Sequence, residues 1–357
     1  MIKVENREYI EDIHFNSAKD FLNAISYSGA LYEIFQDKFV FRGHSTTEYK
    51  LLPSAQRIEF WERFKIQKDT AERDIAIAIT EIAQINYEYN QLFHFFKKCD
   101  ENGLYVPEVS CMREWINFPN DFPAFIIEDN VWLPDNYYDL AALAQHYGVK
   151  TRLLDWTKNI NVALYFASSE ALLRTYNLDK KTSEQWNEQY KNDLLKKAHD
   201  FAGLYFKKKQ AVDVIDCIEL WALDKTIEYE YPDIPLRMIS PRRCDNSNLR
   251  AQNGLLSLWR TNIPSVYDKK NNNLTSSWLK RTVNNKTLDE LLTDFLVSKN
   301  KLTKKYIYHM TIPQTDALSL YTYALRNGYD ASTIFPSYDG VVKSLYEMEA
   351  IKNKVEI

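Results

Sequence analysis

Four stretches hold the polar residues that could do chemistry. The first is Phe41-Arg42-Gly43-His44, where an arginine closes a strand-like run, KFVFRG (38–43), and a glycine follows. The planar guanidinium of a strand-end arginine can project into a cleft and suits a phosphate or a carboxylate. HSTTEYKLLPSAQR comes next, with several hydroxyls and a second arginine, Arg57. The second stretch is LAQHYGVKTRLLDWTKNINVALYFA (143–167), in which His146, Arg152, Asp155 and Asn161 sit among residues that otherwise read as core. Buried ions are costly unless paired. Arg152 and Asp155 therefore either pair with each other, or Asp155, Trp156 and Thr157 line a pocket with Trp156 as an apolar or stacking wall. His146 reads as a satisfied core histidine or as a catalyst. In the third stretch, NLRAQNGLLSLWR (248–260), Gln252 is polar in a place that reads as core. The fourth, IFPSYDG (334–340), ends in Asp339-Gly340, a turn or helix start.

These residues need elements to hold them. Ser17 reads as an N-cap, with Phe21, Leu22 and Ile25 following at helical spacing. A long helical pattern covers 69–99, and the proline- and aromatic-rich segment 104–136 reads as an ordered loop. A helix over 137–147 ends at Gly148, a C′ glycine. TRLLDWT fits neither a clean helix nor a clean strand, but Thr157 or Asn159 is placed to cap a helix running to about Leu173. Residues 180–212 read as a Lys-rich surface helix and 268–288 as a mobile loop. DVIDCIELWALD, LLSLWR and KYIYHMTIP are strand candidates; 318–327 and 338–351 are helical. Strands and helices mixed along the whole length predict one α+β domain over 1–357. Its insertions are expected at about 58–130 and 175–212, and its core motifs at 38–57, 143–167, 248–260 and 334–345.

Composition bounds the function. The chain has 357 residues, 45% hydrophobic and 26% charged, with a net charge of −4, which is not the balance of a general nucleic-acid binder. A basic run at Lys207, Lys208 and Lys209 reads as solvated surface. Glycine is scarce, at 8 residues, and neither GxGxxG nor GxxxxGK[ST] occurs. HExxH and GxSxG are also absent. The four cysteines have no metal spacing and read as reduced thiols. The N-terminus has charges where a signal peptide needs an apolar core, and no apolar run approaches the roughly 18 residues of a membrane span. A cytoplasmic protein with no membrane partner is expected.

Together, FRG with LLPSAQR, the block LAQHYGVKTRLLDWTKNINVALYFA, RAQNGLLSLW and IFPSYDGVVKSL resemble the FRG domain family of bacteria and their mobile elements. The resemblance spans roughly residues 38–345. The order of motifs in turn looks like that of ADP-ribosyltransferases, which implies a small mixed-sheet core and NAD as cosubstrate, with no metal. On that likeness Arg42 grips the NAD phosphates, assisted by Gly43, His44, His146 and Arg152. Trp156 holds a ring, and Thr157 and Gln252 orient ribose. Gln252 stands where a catalytic Glu is expected, and an amide supplies less electrostatic stabilisation of a developing cation. Asp155 or Asp339 would then carry the charge. The implied protein is a toxin or phage-defence effector that modifies a macromolecule, with a neighbouring antitoxin or regulator as partner. Two alternatives use the same residues: a non-catalytic module binding a nucleotide, nucleic acid or protein, and a metal-dependent hydrolase or nuclease built on Asp155, Asp339 and His146.

Overall fold

Alternation along the strands sets the layers. Phe39 and Phe41 enter one core and Val40 the opposite one; Leu220 and Ala222 likewise oppose Trp221 and Leu223. A sheet covered on both faces results. A computed structural model describes residues 3–6, 9–57, 80–117, 131–174, 216–244, 246–263, 267–268, 273–274, 283–299 and 304–355. The expected helix over 180–212, with its lysines, lies outside these residues, as do 58–79 and 118–130 of the first insertion and most of the 268–288 loop.

The strands are β1 (Lys3–Asn6), β2 (Ile10–His14), β3 (Phe39–His44), β4 (Val131–Trp132), β5 (Leu153–Thr157), β6 (Cys217–Asp224), β7 (Leu236–Ile239), β8 (Gly254–Trp259), β9 (Thr261–Asn262), β10 (Tyr267–Asp268), β11 (Asn273–Leu274) and β12 (Ile307–Pro313). Eight of them form one sheet in the order β1-β2-β12-β6-β3-β5-β8-β7; β4 pairs with β9 and β10 with β11 as separate ribbons. Neighbours in the large sheet are antiparallel except β2 and β12. The class is α+β, as the sequence implies, with a sheet larger than the small core expected.

One face packs on the helix Ala18–Ile25, the helix over 160–174 and the helix Ala317–Arg326. The other packs on the helix Leu288–Lys299 and, at the β5-β8-β7 end, a separate cluster joins the helices Glu81–Glu101 and Tyr138–His146. Ser17 caps the first helix by accepting from the Asp20 N–H, and Gly148, with φ +91°, ends the helix Tyr138–His146. Among the described residues, no helix is long and apolar enough to cross a membrane.

Three readings change. TRLLDWT contains a true strand, β5: both its faces are covered, so Leu153, Leu154, Trp156 and Thr157 are all buried and alternation is hidden. The segment 104–136, read as loop, holds the helix Ser110–Trp115 and β4. The helical pattern of 69–99 is described from Glu81 to Glu101, capped by Thr80.

A close backbone contact between elements is made at Gly43. A Cβ there would lie 2.0 Å from the Ala163 carbonyl oxygen and 2.9 Å from the Ala167 Cβ. The glycine lets β3 lie directly on the backbone of the 160–174 helix, with two alanines opposite. Gly43→Ala is expected to destabilise by about 1–3 kcal/mol or more, because backbone cannot yield as a flexible side chain does. A lower urea midpoint at unchanged slope checks this; an unchanged midpoint refutes the close packing.

Candidate functional site

β3 and β5 register at a single pair, Phe41 with Thr157. Beyond it a cleft of about 370 Å³ opens between the strands. Arg42, Gly43, His44, Asp155, Trp156, Thr157 and Gln252 all line it, so the structure brings together seven of the ten residues given a role from the sequence. Phe166 and Phe335, packed edge-to-face at 5.8 Å, form an aromatic wall, and Arg57 adds a second cation.

Arg42 is clamped rather than loose. Its Nε–H donates to His44 Nε2 at 3.0 Å and its Nη1 to the Asp155 carbonyl at 2.7 Å, with an Asp155 carboxylate oxygen 3.8 Å away. No hydrogen bond among the described residues uses Nη2, and the side chain is partly open to the cleft. Burial lowers the Arg42 pKa, the Asp155 charge opposes this, and Arg57 adds to it.

Behind Arg42 a buried polar chain crosses four neighbouring strands, β3, β6, β12 and β2. His44 Nδ1 lies 3.4 Å from Glu219 Oε2, Glu219 Oε1 lies 3.0 Å from His309 Nε2, and His309 Nδ1 lies 2.8 Å from Asp12 Oδ1. Register explains it: His44 faces Glu219 across β3 and β6, and His309 faces Asp12 across β12 and β2. Trp221 stacks on His309 at 4.0 Å. Burial alone would raise the Glu219 carboxyl, but hydrogen bonds and charge from His309 and His44 hold it down to about 2. Burial works against the His309 cation, yet Glu219 and Asp12 on its two nitrogens raise its pKa. His44 goes the other way: burial lowers it, Glu219 only partly compensates, and Arg42 and Arg57 lower it further.

Three expected residues stand elsewhere. Arg152 does not pair with Asp155. It is buried beneath the sheet end, where its guanidinium donates to Glu88, Glu81 and Thr261. All of its donating nitrogens are committed there, and the Trp132 indole and Gln84 amide also donate to Glu88. Asp155 alternates to the exposed side and takes a hydrogen bond from Gln145 at 2.7 Å. His146 sits half-buried in the last turn of its helix with its ring 4.9 Å from Tyr147, and is not in the cleft wall. Asp339, also outside the wall, is exposed at the start of the last helix. Among the described residues no group of His, Cys, Asp or Glu is arranged to hold a metal.

Within the cleft the roles differ from expectation. The Trp156 indole is buried and donates to Ser257 at 2.8 Å, so it is floor rather than a stacking face. The Thr157 hydroxyl donates to the Gln252 carbonyl at 2.7 Å and accepts from the Asn159 N–H, and Asn159 in turn caps the helix that follows by accepting from the Asn161 N–H at 2.9 Å. Gln252 is half-buried, not core. It closes the short helix Ser247–Ala251 before Asn253 turns at φ +49°. The sequence reading missed Glu170, which lines the cleft and accepts from Ser45 and Tyr49, each at 2.9 Å, and from Arg174 at 2.7 Å. Burial would raise its pKa, but these bonds hold it low, as a carboxylate. Its four-residue spacing from Arg174 was the available signal.

Residues 37–175 match the family model of the FRG domain. The chain carries an FRG domain. The match contains β3, β5 and the 160–174 helix, hence the clamped Arg42, the Gly43 contact and Glu170. Gln252 and Phe335 complete the FRG-domain cleft from beyond the matched residues. No curated protein and no solved structure matches the chain.

Two outcomes follow. Arg152→Ala leaves Glu81 and Glu88 buried without their cation and should cost about 3–5 kcal/mol, read as a shift in the urea midpoint; a loss below about 1 kcal/mol would put those carboxylates in water. Glu219 contributes stability above its ordinary value of 4.5 that is lost as pH falls towards 2. Glu219→Gln should therefore lower the Tm at pH 7 and make its decline from pH 5 to acid shallower. Parallel Tm curves for the two proteins would count against an ionised Glu219.

Proposed function

We propose that the cleft binds NAD and that the protein is a divergent ADP-ribosyltransferase-like enzyme acting on a macromolecular acceptor. The observation that carries this reading is the clamped Arg42. Its Nε and Nη1 are held by the protein while Nη2 is left for a ligand, in a cleft that also offers Arg57 and an aromatic wall. A pre-oriented guanidinium beside a second arginine suits a diphosphate, and Phe166 and Phe335 suit a planar base. Arg42 binds and orients the diphosphate, with Gly43 keeping the backbone close beneath it.

In the reaction, the bond between the ribose and nicotinamide breaks, nicotinamide leaves with the electron pair, and an acceptor nucleophile adds to the ribose carbon and gives up its proton. The cation that develops requires an anion nearby. Asp155, at the cleft mouth, and Glu170, in its wall, are the two carboxylates that line it among the described residues. Gln252 contributes a hydrogen-bonding amide, whose Nε2 is 3.4 Å from the Ile334 carbonyl. A toxin or defence role belongs to this same reading, as does a neighbouring antitoxin or regulator.

A second reading, a binding module without turnover, draws on Gln252 standing where a carboxylate would strengthen catalysis. One experiment separates the two. Purified protein is titrated with NAD, then incubated with labelled NAD and a bacterial lysate, with Arg42→Ala in parallel. The expected result is NAD binding weakened about tenfold or more in the variant, since a charge-assisted bond is lost, together with label on a macromolecule only with the intact protein. Binding without turnover supports the module. Equal binding by Arg42→Ala and the intact protein sinks both readings.

A further inference from the structure

We infer that His44 is a positioning residue for Arg42, and that it works only as the neutral ring with its proton on Nδ1. A guanidinium has only donors. With Arg42 Nε 3.0 Å from His44 Nε2, that ring nitrogen has to accept. The proton of a neutral ring is then on Nδ1, facing Glu219 Oε2 at 3.4 Å. Glu219 is in turn held by His309, and His309 by Asp12. Charges along the chain alternate: carboxylate on Asp12, imidazolium on His309, carboxylate on Glu219, neutral His44, guanidinium on Arg42. They sum to zero, which suits a chain buried against the sheet.

A second proton on His44 breaks this order. Nε2–H would then point at Nε–H, two donors and two positive charges face to face. Arg42 would keep its links to Asp155 and lose the bond that fixes the guanidinium plane. The groups around His44 favour the neutral ring. Arg42 lies on the same strand and Arg57 across the cleft, both cationic. Tyr49 presents its ring edge-on at 5.9 Å, and its hydroxyl is taken up by Glu170 and Arg174. Among the described residues Glu219 is the one anion in contact with the ring, and the His309 cation balances it from behind. Asp216, beyond Ser45, is engaged by Thr46 and Thr47.

This inference deepens the reading of Arg42 as the diphosphate ligand and rests on it for its binding arm alone. Three proteins are compared: the intact chain, His44→Leu, and His44→Gln, whose amide can accept from Arg42 and donate to Glu219. Nitrogen NMR reads the His44 tautomer and the exchange of the Arg42 Nε–H. Calorimetry reads NAD affinity from pH 5 to 8. The intact chain should show the Nδ1–H tautomer and a protected Nε–H. Its NAD affinity should fall by about tenfold as acid protonates His44. His44→Leu should expose the Nε–H and bind about tenfold more weakly at every pH, whereas His44→Gln should restore both and flatten the pH profile. An Nε2–H tautomer, equal Nε–H exchange in the intact chain and His44→Leu, or an unchanged acid slope in His44→Gln would each overturn the inference. If His44→Leu fails to fold, the tautomer and His44→Gln still decide it. If no protein binds NAD, the cleft assignment falls, and the NMR arm alone decides the positioning role.

Discussion

The contact between Gly43 and the backbone of the 160–174 helix governs the arrangement of everything near the cleft. It brings β3 so close to that helix that Ala163 and Ala167 are the side chains that fit. With one side of β3 fixed at residue 43, pleating sends Arg42 and His44 to the other side. There they meet Glu219 and Trp221 in register. The glycine in the motif is therefore a packing residue. It serves the arginine indirectly, by setting the depth and direction from which the guanidinium enters the cleft.

Much of this was legible in the sequence. The strand at 39–44 and the helix caps followed from short motifs, because each motif is a local solution to a local geometric demand, whereas the closeness of Arg42, Trp156 and Gln252 was implied only by the family resemblance. β5 was not legible as a strand, since a strand buried on both faces has no polar alternation to reveal it. β2 and β7 were missed because they are short, and β2 carries charges that pair only across the sheet. The partner of Arg152 could not be found by spacing: Glu81 and Glu88 lie on a distant helix and reach it through tertiary packing. The polar chain behind Arg42 has the same character. Glu219 is a carboxylate in an apolar run, but its meaning depends on His309 and Asp12, and sheet order alone makes them neighbours.

The site separates orientation from contact. Arg42 and Gln252 face open space, whereas His44, Glu219, His309 and Asp12 are covered and satisfied among themselves. A surface arginine loses several rotatable bonds' worth of freedom when it grips a ligand. Arg42 has lost most of that freedom in folding, so less remains to be lost when something binds. Trp221, stacked on His309, keeps water from the middle of the chain and strengthens its hydrogen bonds.

The cluster of Arg152, Glu81 and Glu88 bears on how the chain can be cut and varied. The segment between the first two motifs resembles an insertion that a smaller version could dispense with. Yet its helix supplies both carboxylates that hold a guanidinium at the entry to β5. Deleting the segment would strand a buried cation at the start of the strand that carries Asp155 and Trp156. The helix and the arginine thus form one physical unit: a shortened chain that lacks the helix has to replace Arg152 as well. What looks like an added module in one dimension is a supporting pillar in three.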